Sequence, residues 1–451
     1  MRRIIIGGTK SGCGKTTVTC AVLAALKKRG INVSAFKCGP DYIDPMFHRK
    51  VIGVSSHNLD SFFCERDTLL ALLDEHGRNS DISVIEGVMG FYDGSCGSAH
   101  SLSEITETPA IIVIDCKGMS DSIGAVMSGF LNYRQNRIAG FIFDRLPEKL
   151  IPLAEELCRE LGTEYFGCLP KSDVTIESRH LGLVTADEIG DIQAKLTRLG
   201  ELAEQYIDID KLLETESSPL PSYRAPSIVK LPNAPVIAVS RDSAFCFMYG
   251  ENVELLEKMG CKIEYFSPLT DCAVPRADGL ILCGGYPELY ASELAENRAM
   301  LASVKSCIDA GMPTIAECGG FMYLHDELTD KNGKSYPMAG VINGRTFPTG
   351  RLQRFGYITL NAKRDTILCG QGGAVRAHEF HYWDSTSCGS GLTAEKNDGR
   401  TWDCCHISEH FYAGFPHIYF YSDIAAAERF VKKCIEYGEK NGQDKTYHLG
   451  G

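Results

Sequence analysis

The sequence has no excess of basic residues. Its 451 residues include 46 Lys and Arg against 58 Asp and Glu, a net charge of −12. A protein that binds nucleic acid or an anionic membrane needs clustered Lys and Arg side chains. The charge balance therefore argues against both kinds of partner.

Long apolar runs are also missing. The first apolar segment, Ile4–Ile6, ends at two glycines and is too short for a secretory signal, and no later stretch is long enough to cross a bilayer. We therefore expect a cytoplasmic protein. A hydrophobic content of 44% and a charged content of 23% are typical of soluble globular chains, and the length predicts two or three domains.

Paired cysteine spacings are absent although the chain has 19 cysteines. No CxxC pair occurs, and the adjacent Cys404 and Cys405 suit neither a disulfide nor a metal site. In a reducing compartment we expect most of the thiols to be small buried hydrophobes. Only Cys318 stands out, and it does so by its sequence context.

Short apolar runs separated by helical patterns fill the first part of the chain. Such continuous runs predict buried strands in a parallel sheet that helices cover on both faces. The predicted strands are Ile4–Ile6, Val33–Phe36, Ser83–Ile85, Ile111–Ile114 and Ile138–Phe143. Gly30 is predicted to end the first helix.

A polar, proline-rich stretch divides the chain. Ser217–Ser222, followed by Pro226 and Pro232, is typical of a linker. The apolar runs then resume at Val236–Val239, Lys262–Phe266, Gly279–Leu282 and Thr314–Ala316. The sequence therefore predicts two α/β domains, at residues 1–216 and 234–451, joined by a linker at 217–233.

The segment Thr9–Thr16, which follows the first strand, predicts a phosphate-binding loop at the start of a helix. Gly12 and Gly14 permit close approach to phosphate oxygens, and the N-terminus of the helix adds a partial positive charge. Lys15 is expected to bridge the terminal phosphates of ATP. The predicted ATP contacts are Lys10, Ser11, Gly12, Cys13, Gly14, Lys15, Thr16 and Thr17. Thr9 stands where the commonest loops have glycine, so this loop is a deviant form.

Four carboxylates follow predicted strands in this domain. Parallel strands present ligands at their carboxyl ends, and we predict that Thr16, Asp41 and Glu86 hold Mg²⁺. Asp44, in the same turn as Asp41, and Asp93 are predicted to serve an acid substrate. Taken singly, each carboxylate could instead be a solvated group in a surface turn.

The segment Ala316–Gly320 predicts a nucleophile elbow, because Cys318 follows a strand and is flanked by small residues. A thiolate nucleophile needs an oxyanion hole, for which we predict the backbone N–H groups of Gly319 and Gly285. The predicted base is His417, and His378 and His381 are its rivals. The segment His406–His410 matches an H-x-x-E-H zinc-protease pattern, but no long helix carries it, so we interpret the match as chance.

The presence of a nucleotide site and a thiol site in one chain limits the reactions that the protein could catalyse. Few reactions need both, and amide synthesis with glutamine as the nitrogen donor is one of them. The cofactor and co-substrates predicted on this basis are Mg²⁺, ATP and L-glutamine.

Together these segments resemble the cobyrinic acid a,c-diamide synthase family of corrinoid biosynthesis, over nearly the whole chain. The resemblance rests on segments 12–16, 39–45, 86–94, 178–183, 241–247, 284–288, 316–320 and 378–382. It implies a dethiobiotin-synthetase-like ATPase domain joined to a class I glutamine amidotransferase domain. It also implies a tetrapyrrole substrate whose a and c acetates are activated as acyl phosphates and amidated by ammonia that Cys318 releases from glutamine. Ammonium is not a nucleophile, so a shielded path for ammonia between the domains is implied.

Three positions depart from related patterns. Tyr419, two residues after His417, stands where many class I amidotransferases carry an orienting glutamate, so the resemblance implies a dyad without a third member. Asp144 replaces an asparagine that is usual in related ATPases. Lys10 matches the signature lysine of partitioning ATPases, which reaches across a dimer, so a homodimer is a candidate assembly and a solvated charge is the alternative.

Alternative interpretations share parts of this pattern. Enzymes that act on nickel-sirohydrochlorin or hydrogenobyrinic acid carry the same segments, and only the accepted tetrapyrrole separates them. A partitioning ATPase would share the phosphate loop, but the acidic balance and Cys318 argue against it. A non-catalytic amidotransferase-like partner would lack glutaminase activity.

Overall fold

The computed structural model describes residues 1–42, 44, 45, 48–94, 96–171 and 186–446. The segment 178–183, part of the family resemblance, lies outside these ranges, as does Ile43. The chain divides into two compact units, residues 1–226 and 227–451. The division falls inside the segment 217–233.

The first unit contains a seven-stranded parallel sheet. Its strand order is β3-β2-β4-β1-β5-β6-β7, with β1 near the centre. The strands are β1 (Arg2–Gly8), β2 (Val33–Cys38), β3 (Ser56–Leu59), β4 (Ile82–Glu86), β5 (Ala110–Asp115), β6 (Ile138–Asp144) and β7 (Glu164–Leu169). The helices are α1 (Lys15–Lys28), α2 (Arg66–Gly77), α3 (Ala99–Thr106), α4 (Ser122–Asn132), α5 (Ile151–Glu160), α6 (Ala186–Tyr206) and α7 (Ile209–Glu214).

The five predicted strands of this unit are confirmed because apolar runs mark strands that are buried on both faces. Val18 and Val22 of α1 share one core with Ile4, Ile6 and Val84 of the sheet. Each such side chain contributes roughly 1.5–3 kcal/mol by leaving water. Gly30 has a left-handed φ of 74° just after α1 ends, as predicted.

The sequence did not predict β3, whose residues are Ser-His-Asn-Leu. Its polar side chains are buried because their hydrogen bonds are satisfied inside the unit. Asn58 Nδ2 donates to the carbonyl oxygens of Gly39, at 3.0 Å, and Asp41, at 2.7 Å. These bonds hold the turn that carries Asp41, so the unpredicted strand positions a predicted site residue.

The second unit is built on a six-stranded sheet of order β10-β8-β11-β13-β23-β22. All of its strands are parallel to their neighbours except β22. The predicted two-domain α/β fold is therefore confirmed. The strands are β8 (Val236–Ser240), β10 (Lys262–Phe266), β11 (Gly279–Leu282), β13 (Thr314–Glu317), β22 (His406–Ile407) and β23 (Phe411–Gly414). The helices are α8 (Gly250–Lys258), α9 (Ala291–Glu296), α10 (Arg298–Asp309), α11 (Gly319–Tyr323) and α12 (Ile424–Thr446).

Three smaller sheets in this unit were not predicted. The largest is antiparallel and has the order β21-β20-β17-β18-β24. Its strands are β17 (Phe355–Ala362), β18 (Ala374–Phe380), β20 (Leu392–Glu395), β21 (Thr401–Cys404) and β24 (His417–Ile418). The other strands are β9 (Phe245–Phe247), β12 (Gly284–Gly285), β14 (His325–Thr329), β15 (Ser335–Pro337), β16 (Ile342–Pro348) and β19 (Trp383–Ser385).

Two further observations concern the cysteines and the helices. All 19 cysteines are free thiols, and most of them are buried. Among the described residues, no helix combines the length and the apolar character that a membrane span requires.

Candidate functional site

The phosphate loop lies between β1 and α1. Gly12 and Gly14 have left-handed φ angles of 73° and 96°, and α1 begins at the next residue, Lys15. A Cβ on Gly14 would lie 2.4 Å from Asp144 Oδ2, so only glycine fits there. The loop therefore brings the N-terminus of α1 and its unpaired backbone N–H groups to the carboxyl end of the sheet.

Lys15 lies across this loop. Its Nζ donates to the carbonyl oxygen of Lys10 at 3.2 Å. Burial lowers the pKa of Lys15, whereas Cys13, Glu86 and Asp44 oppose this effect. Charges attract each other more strongly where water is excluded. The buried Lys15 ammonium is therefore well placed to bind a negatively charged phosphate group in the loop.

One buried lysine, which the sequence analysis missed, joins three of the predicted carboxylates. Lys37 Nζ donates to Glu86 Oε1 at 3.1 Å, pairs with Asp44, and lies 3.8 Å from Asp41 Oδ2. Lys37 and Glu86 are opposite each other on the neighbouring strands β2 and β4. Lys37 is the last residue but one of a mostly apolar strand, and that position was the only signal in the sequence.

Glu86 links this cluster to the phosphate loop. Thr16 Oγ1 donates to Glu86 Oε1 at 2.6 Å. Burial has the largest single effect and would raise the pKa of Glu86, but Lys37, His48 and Thr16 together outweigh it and hold this pKa below the ordinary value. The predicted ligands Thr16 and Glu86 are therefore brought together, and Asp41 lies 3.8 Å from the Lys37 ammonium that also contacts Glu86.

Lys37 does not fully neutralise the negative charge of the carboxylates in this cluster. Burial, followed by Asp41 and Glu86, raises the pKa of Asp44 although Lys37 is its partner. Glu86 Oε2 is buried and has no hydrogen-bond partner among the described residues, and the nearby His48 Nε2 is 3.5 Å away. Hydroxyl and carboxylate oxygens are the ligands that Mg²⁺ prefers, so the residues present fit this cation.

The other predicted residues of this unit lie around the loop. Asp93 is exposed, and its Oδ2 accepts a hydrogen bond from Gly90 N at 2.8 Å, so it closes a local turn and does not join the Lys37 cluster. Lys10 is largely exposed and lies 3.5 Å from Asp115 Oδ2. Burial raises the pKa of Asp144, which contacts the loop at Gly14, to about 6.

In the second unit, Cys318 lies at a sharp turn between β13 and α11. Its φ of 46° is left-handed, a strained backbone conformation for a residue with a side chain. Gly319 and Gly320 pack so closely that a Cβ on Gly320 would lie 2.2 Å from Leu282 O. Cys318 N donates to Gly414 O at 2.7 Å, which ties the turn to β23. This geometry is that of the predicted nucleophile elbow.

The surroundings of Cys318 favour the neutral thiol over the thiolate. Burial, and next to it Glu288, raises the pKa of Cys318, whereas a backbone hydrogen bond from Gly319 opposes the shift. Glu288 was not predicted as a site residue, and burial raises its own pKa to about 7. A protonated thiol is a weak nucleophile, so the site needs a base to remove its proton.

The glycine pair of β12 lies between the elbow and the predicted base. A Cβ on Gly319 would lie 2.9 Å from Gly285 N, and a Cβ on Gly284 would lie 2.5 Å from His417 Cε1. The absence of side chains at these positions lets the thiol turn, a backbone N–H and an imidazole approach each other. The structure therefore brings together the four residues predicted for the thiol chemistry: Cys318, His417, Gly285 and Gly319.

A glutamate next to the nucleophile holds His417. Glu317 Oε2 lies 3.3 Å from His417 Nδ1, and Glu317 Oε1 accepts from Ile418 N at 2.9 Å. The expectation of a dyad without a third member therefore missed a partner. The carboxylate comes from the residue before the nucleophile, whereas the sequence analysis considered only the position two residues after the histidine, where Tyr419 stands.

The two rival histidines occupy different positions. His378 lies opposite His417 in the ladder of β18 and β24, and burial followed by His417 lowers its pKa to about 3. His381 Nε2 pairs with Glu379 Oε1 at 2.8 Å, and its ring stacks on Phe415. His406 lies on the short strand β22 and not on a helix, which agrees with a chance zinc-protease match.

Comparisons with known proteins match both units. Residues 4–184 match a model described as the CobQ/CobB/MinD/ParA nucleotide binding domain. Residues 236–425 match a model of the CobB/CobQ-like glutamine amidotransferase domain. Among solved structures, the MinD cell division protein of Aquifex aeolicus aligns with 49% of this chain and 100% of its own at 16% identity, with a TM-score of 0.31, too low to support an argument.

Several curated relatives are similar to the chain over nearly its full length. The cobyrinate a,c-diamide synthase of Listeria innocua is 39% identical over 444 residues, which cover 94% of this chain and 98% of that protein. The protein of the same name from Caldanaerobacter subterraneus is 36% identical, over 97% of this chain and 100% of its own.

Proposed function

We propose that this chain, which belongs to the cobyrinate a,c-diamide synthase family, is a ligase that uses ATP and glutamine to amidate the a and c acetates of cobyrinic acid. The observation that carries the proposal is the Cys318–His417–Glu317 arrangement in a chain that also holds a phosphate loop linked to a carboxylate cluster. The Cys318–His417–Glu317 arrangement has no role in a partitioning ATPase, which was the alternative from another class.

The first half-reaction activates the acid. A carboxylate is anionic and therefore a poor electrophile, and transfer of the γ-phosphoryl group of ATP gives an acyl phosphate with a good leaving group. Lys15 offsets the charge of the transferring group, and Lys37 holds Glu86, Asp44 and Asp41 in place. When bound, Mg²⁺ neutralises phosphate charge, and Thr16, Glu86 and Asp41 would hold it.

The second half-reaction supplies ammonia. His417 removes the proton of the Cys318 thiol, and the sulfur attacks the side-chain amide of glutamine. The N–H groups of Gly285 and Gly319 stabilise the oxyanion, and ammonia leaves with a proton returned by His417. Water then hydrolyses the thioester to glutamate, and ammonia displaces phosphate from the acyl phosphate.

The substrate is tested directly by supplying tetrapyrroles. Cobyrinic acid, hydrogenobyrinic acid and nickel-sirohydrochlorin are incubated separately with the chain, ATP and glutamine, and the products are weighed by mass spectrometry. We expect a mass change for two amides with cobyrinic acid. If nickel-sirohydrochlorin or hydrogenobyrinic acid is converted and cobyrinic acid is not, the proposed substrate is wrong, but the proposed type of reaction is still supported.

Replacing Glu317 with glutamine is expected to lower kcat for glutamine hydrolysis by roughly 10²-fold, because the imidazole loses the carboxylate that orients it. The KM for glutamine should change little, since Glu317 contacts His417 and Ile418 and not the predicted oxyanion donors. Steady-state glutaminase assays measure both constants. Amidation with ammonia should keep its rate, and an unchanged kcat would remove Glu317 from this role.

Replacing Asp44 with asparagine is expected to slow amidation with either nitrogen donor by roughly 10–100-fold, because Lys37 loses one of its three carboxylates. Nucleotide affinity should stay nearly unchanged, since Lys15 and Thr16 are untouched. Calorimetric titration of nucleotide and product masses check both statements. Accumulation of the mono-amide would show sequential handling of the two acids. A large loss of nucleotide affinity would instead move Asp44 to the metal site.

A further inference from the structure

A buried carboxyl group near the nucleophile has no role in the chemistry described so far. Glu288 belongs to the short helical turn Pro287–Leu289 and is only 9% exposed. The turn packs on the backbone that follows Cys318, because Pro287 Cδ lies 2.9 Å from the position that a Cβ on Gly319 would occupy. The fold therefore holds this acidic side chain next to the elbow and away from bulk water.

The carboxyl group of Glu288 has no partner from another residue. Within the ranges that the structure describes, it forms no ion pair, and the hydrogen bond that it accepts comes from its own backbone N–H. Burial raises its pKa to about 7. A buried carboxylate is costly unless a cation or several hydrogen bonds offset its charge. Glu288 is therefore ready to take a cationic partner.

Two other carboxylates act on the thiol, and both already have partners. Glu317 lies 3.3 Å from His417 Nδ1, and Glu379 lies 2.8 Å from His381 Nε2. Burial has the largest effect on the pKa of the thiol and raises it, and of the three carboxylates Glu288 raises it most. The thiol site is therefore electronegative, and Glu288 is the member of this trio that lacks a partner.

Glutamine brings one group that complements this carboxylate. Its side-chain amide reacts at Cys318, where the N–H groups of Gly285 and Gly319 stabilise the oxyanion. Its α-carboxylate would be repelled by Glu288. Its α-ammonium group is positively charged, and a short aliphatic chain keeps it near the reacting carbon. Of the three polar groups of glutamine, the ammonium is thus the one that suits a buried, unpaired carboxylate.

We infer that Glu288 binds the α-ammonium group of glutamine and thereby selects amino-acid amides over other amides. That the substrate is glutamine rests on the proposed function, whereas the preference for a cationic group near Cys318 rests on Glu288 itself. An ammonium partner also cancels the negative charge that opposes ionisation of the thiol. The correct substrate therefore makes the thiol easier to deprotonate, and an amide without the ammonium does not.

The test compares two amides in a glutaminase assay of the full chain without ATP. Glutaramate has the same amide and carboxylate as glutamine and lacks the α-amino group. We expect kcat/KM for glutamine to exceed that for glutaramate by roughly 10–100-fold, the effect of one charge-assisted hydrogen bond. The released ammonia is measured for both amides in the same preparation.

Three variants of the full chain separate recognition from structural support. Glu288→Gln should raise the KM for glutamine roughly 10–100-fold and leave kcat nearly unchanged. It should hydrolyse glutaramate at least as well as the unchanged protein, because the uncompensated negative charge is gone. Glu288→Asp keeps the charge and should keep part of the preference. Glu293→Gln, which changes an exposed glutamate on α9, should leave both amides unaffected.

Two results would overturn the inference. One is equal kcat/KM for glutamine and glutaramate in the unchanged protein. The other is an equal loss for both amides in Glu288→Gln, which would make Glu288 a structural residue. If Glu288→Gln does not fold, the preference of the unchanged protein and its reduction in Glu288→Asp decide the question.

Failure of the proposed function is a separate outcome, which binding experiments distinguish. Hydrolysis of both amides at the same rate would refute the role of Glu288 and keep the glutaminase reaction. If no ammonia is released from glutamine, the reaction is wrong, and equilibrium dialysis with Cys318→Ala tests Glu288 alone. Glutamine should bind to this variant more tightly than glutaramate, and adding Glu288→Gln should remove the difference. Equal binding of the two amides to Cys318→Ala would overturn the inference.

Discussion

Replacing Cys318 with alanine is expected to abolish glutamine-dependent amidation, with a loss of roughly 10⁴-fold or more. The elbow holds Cys318 at a left-handed φ of 46°, and the backbone of the next residue, Gly319, lies close to Gly285 N. Amidation with a high concentration of free ammonia should survive, because the phosphate loop and the Lys37 cluster lie in the other unit.

The measurement compares product formation with glutamine and with ammonia in the same preparation. Cys272→Ala is the matched control, because Cys272 is an exposed thiol of the same unit. It should keep both activities. If Cys318→Ala loses both activities equally, the proposal that one unit releases ammonia and the other activates the acid is wrong. Full glutaminase activity in this variant would also contradict it.

Replacing Lys15 with alanine is expected to stop amidation with either nitrogen donor, by roughly 10³-fold or more, because the transferring phosphoryl group loses its positive partner. The buried ammonium lies within the loop, 3.2 Å from Lys10 O, and exposed lysines cannot replace it. Glutaminase activity in the absence of ATP should persist, which also shows that the variant is folded.

Formation of ADP in the presence of the acid substrate measures this step directly. Lys28→Ala is the matched control, since Lys28 is an exposed lysine in the last turn of the same helix. It should keep nearly full activity. A Lys15→Ala variant that still amidates with ammonia would show that the loop does not carry out the activation of the acid.

The features that could be predicted depend on residues that are close together in the sequence. The phosphate loop depends on Gly12, Gly14 and Lys15, which are close in sequence, and the elbow depends on Cys318 and the glycines after it. The predicted strands are continuous apolar runs, which reflect burial on both faces. The unpredicted antiparallel strands of the second unit alternate between buried and exposed residues and pair over long distances, as β18 does with β24.

The missed site residues share one physical reason. Lys37 and His48 are charged or polar groups that would be expected in solvent, and each is buried because a partner arrives from another strand or loop. The Glu317 contact with His417 spans 100 residues. A rule that searches near the histidine for its orienting carboxylate could not find it.

By itself the sequence determined the two chemistries, because loop and elbow geometry are local and their residue types are unusual at those positions. It also determined the α/β class, because apolar periodicity records which faces are buried. Only the tertiary structure decided how the carboxylates are held and what orients the base, since β-sheet register sets those contacts.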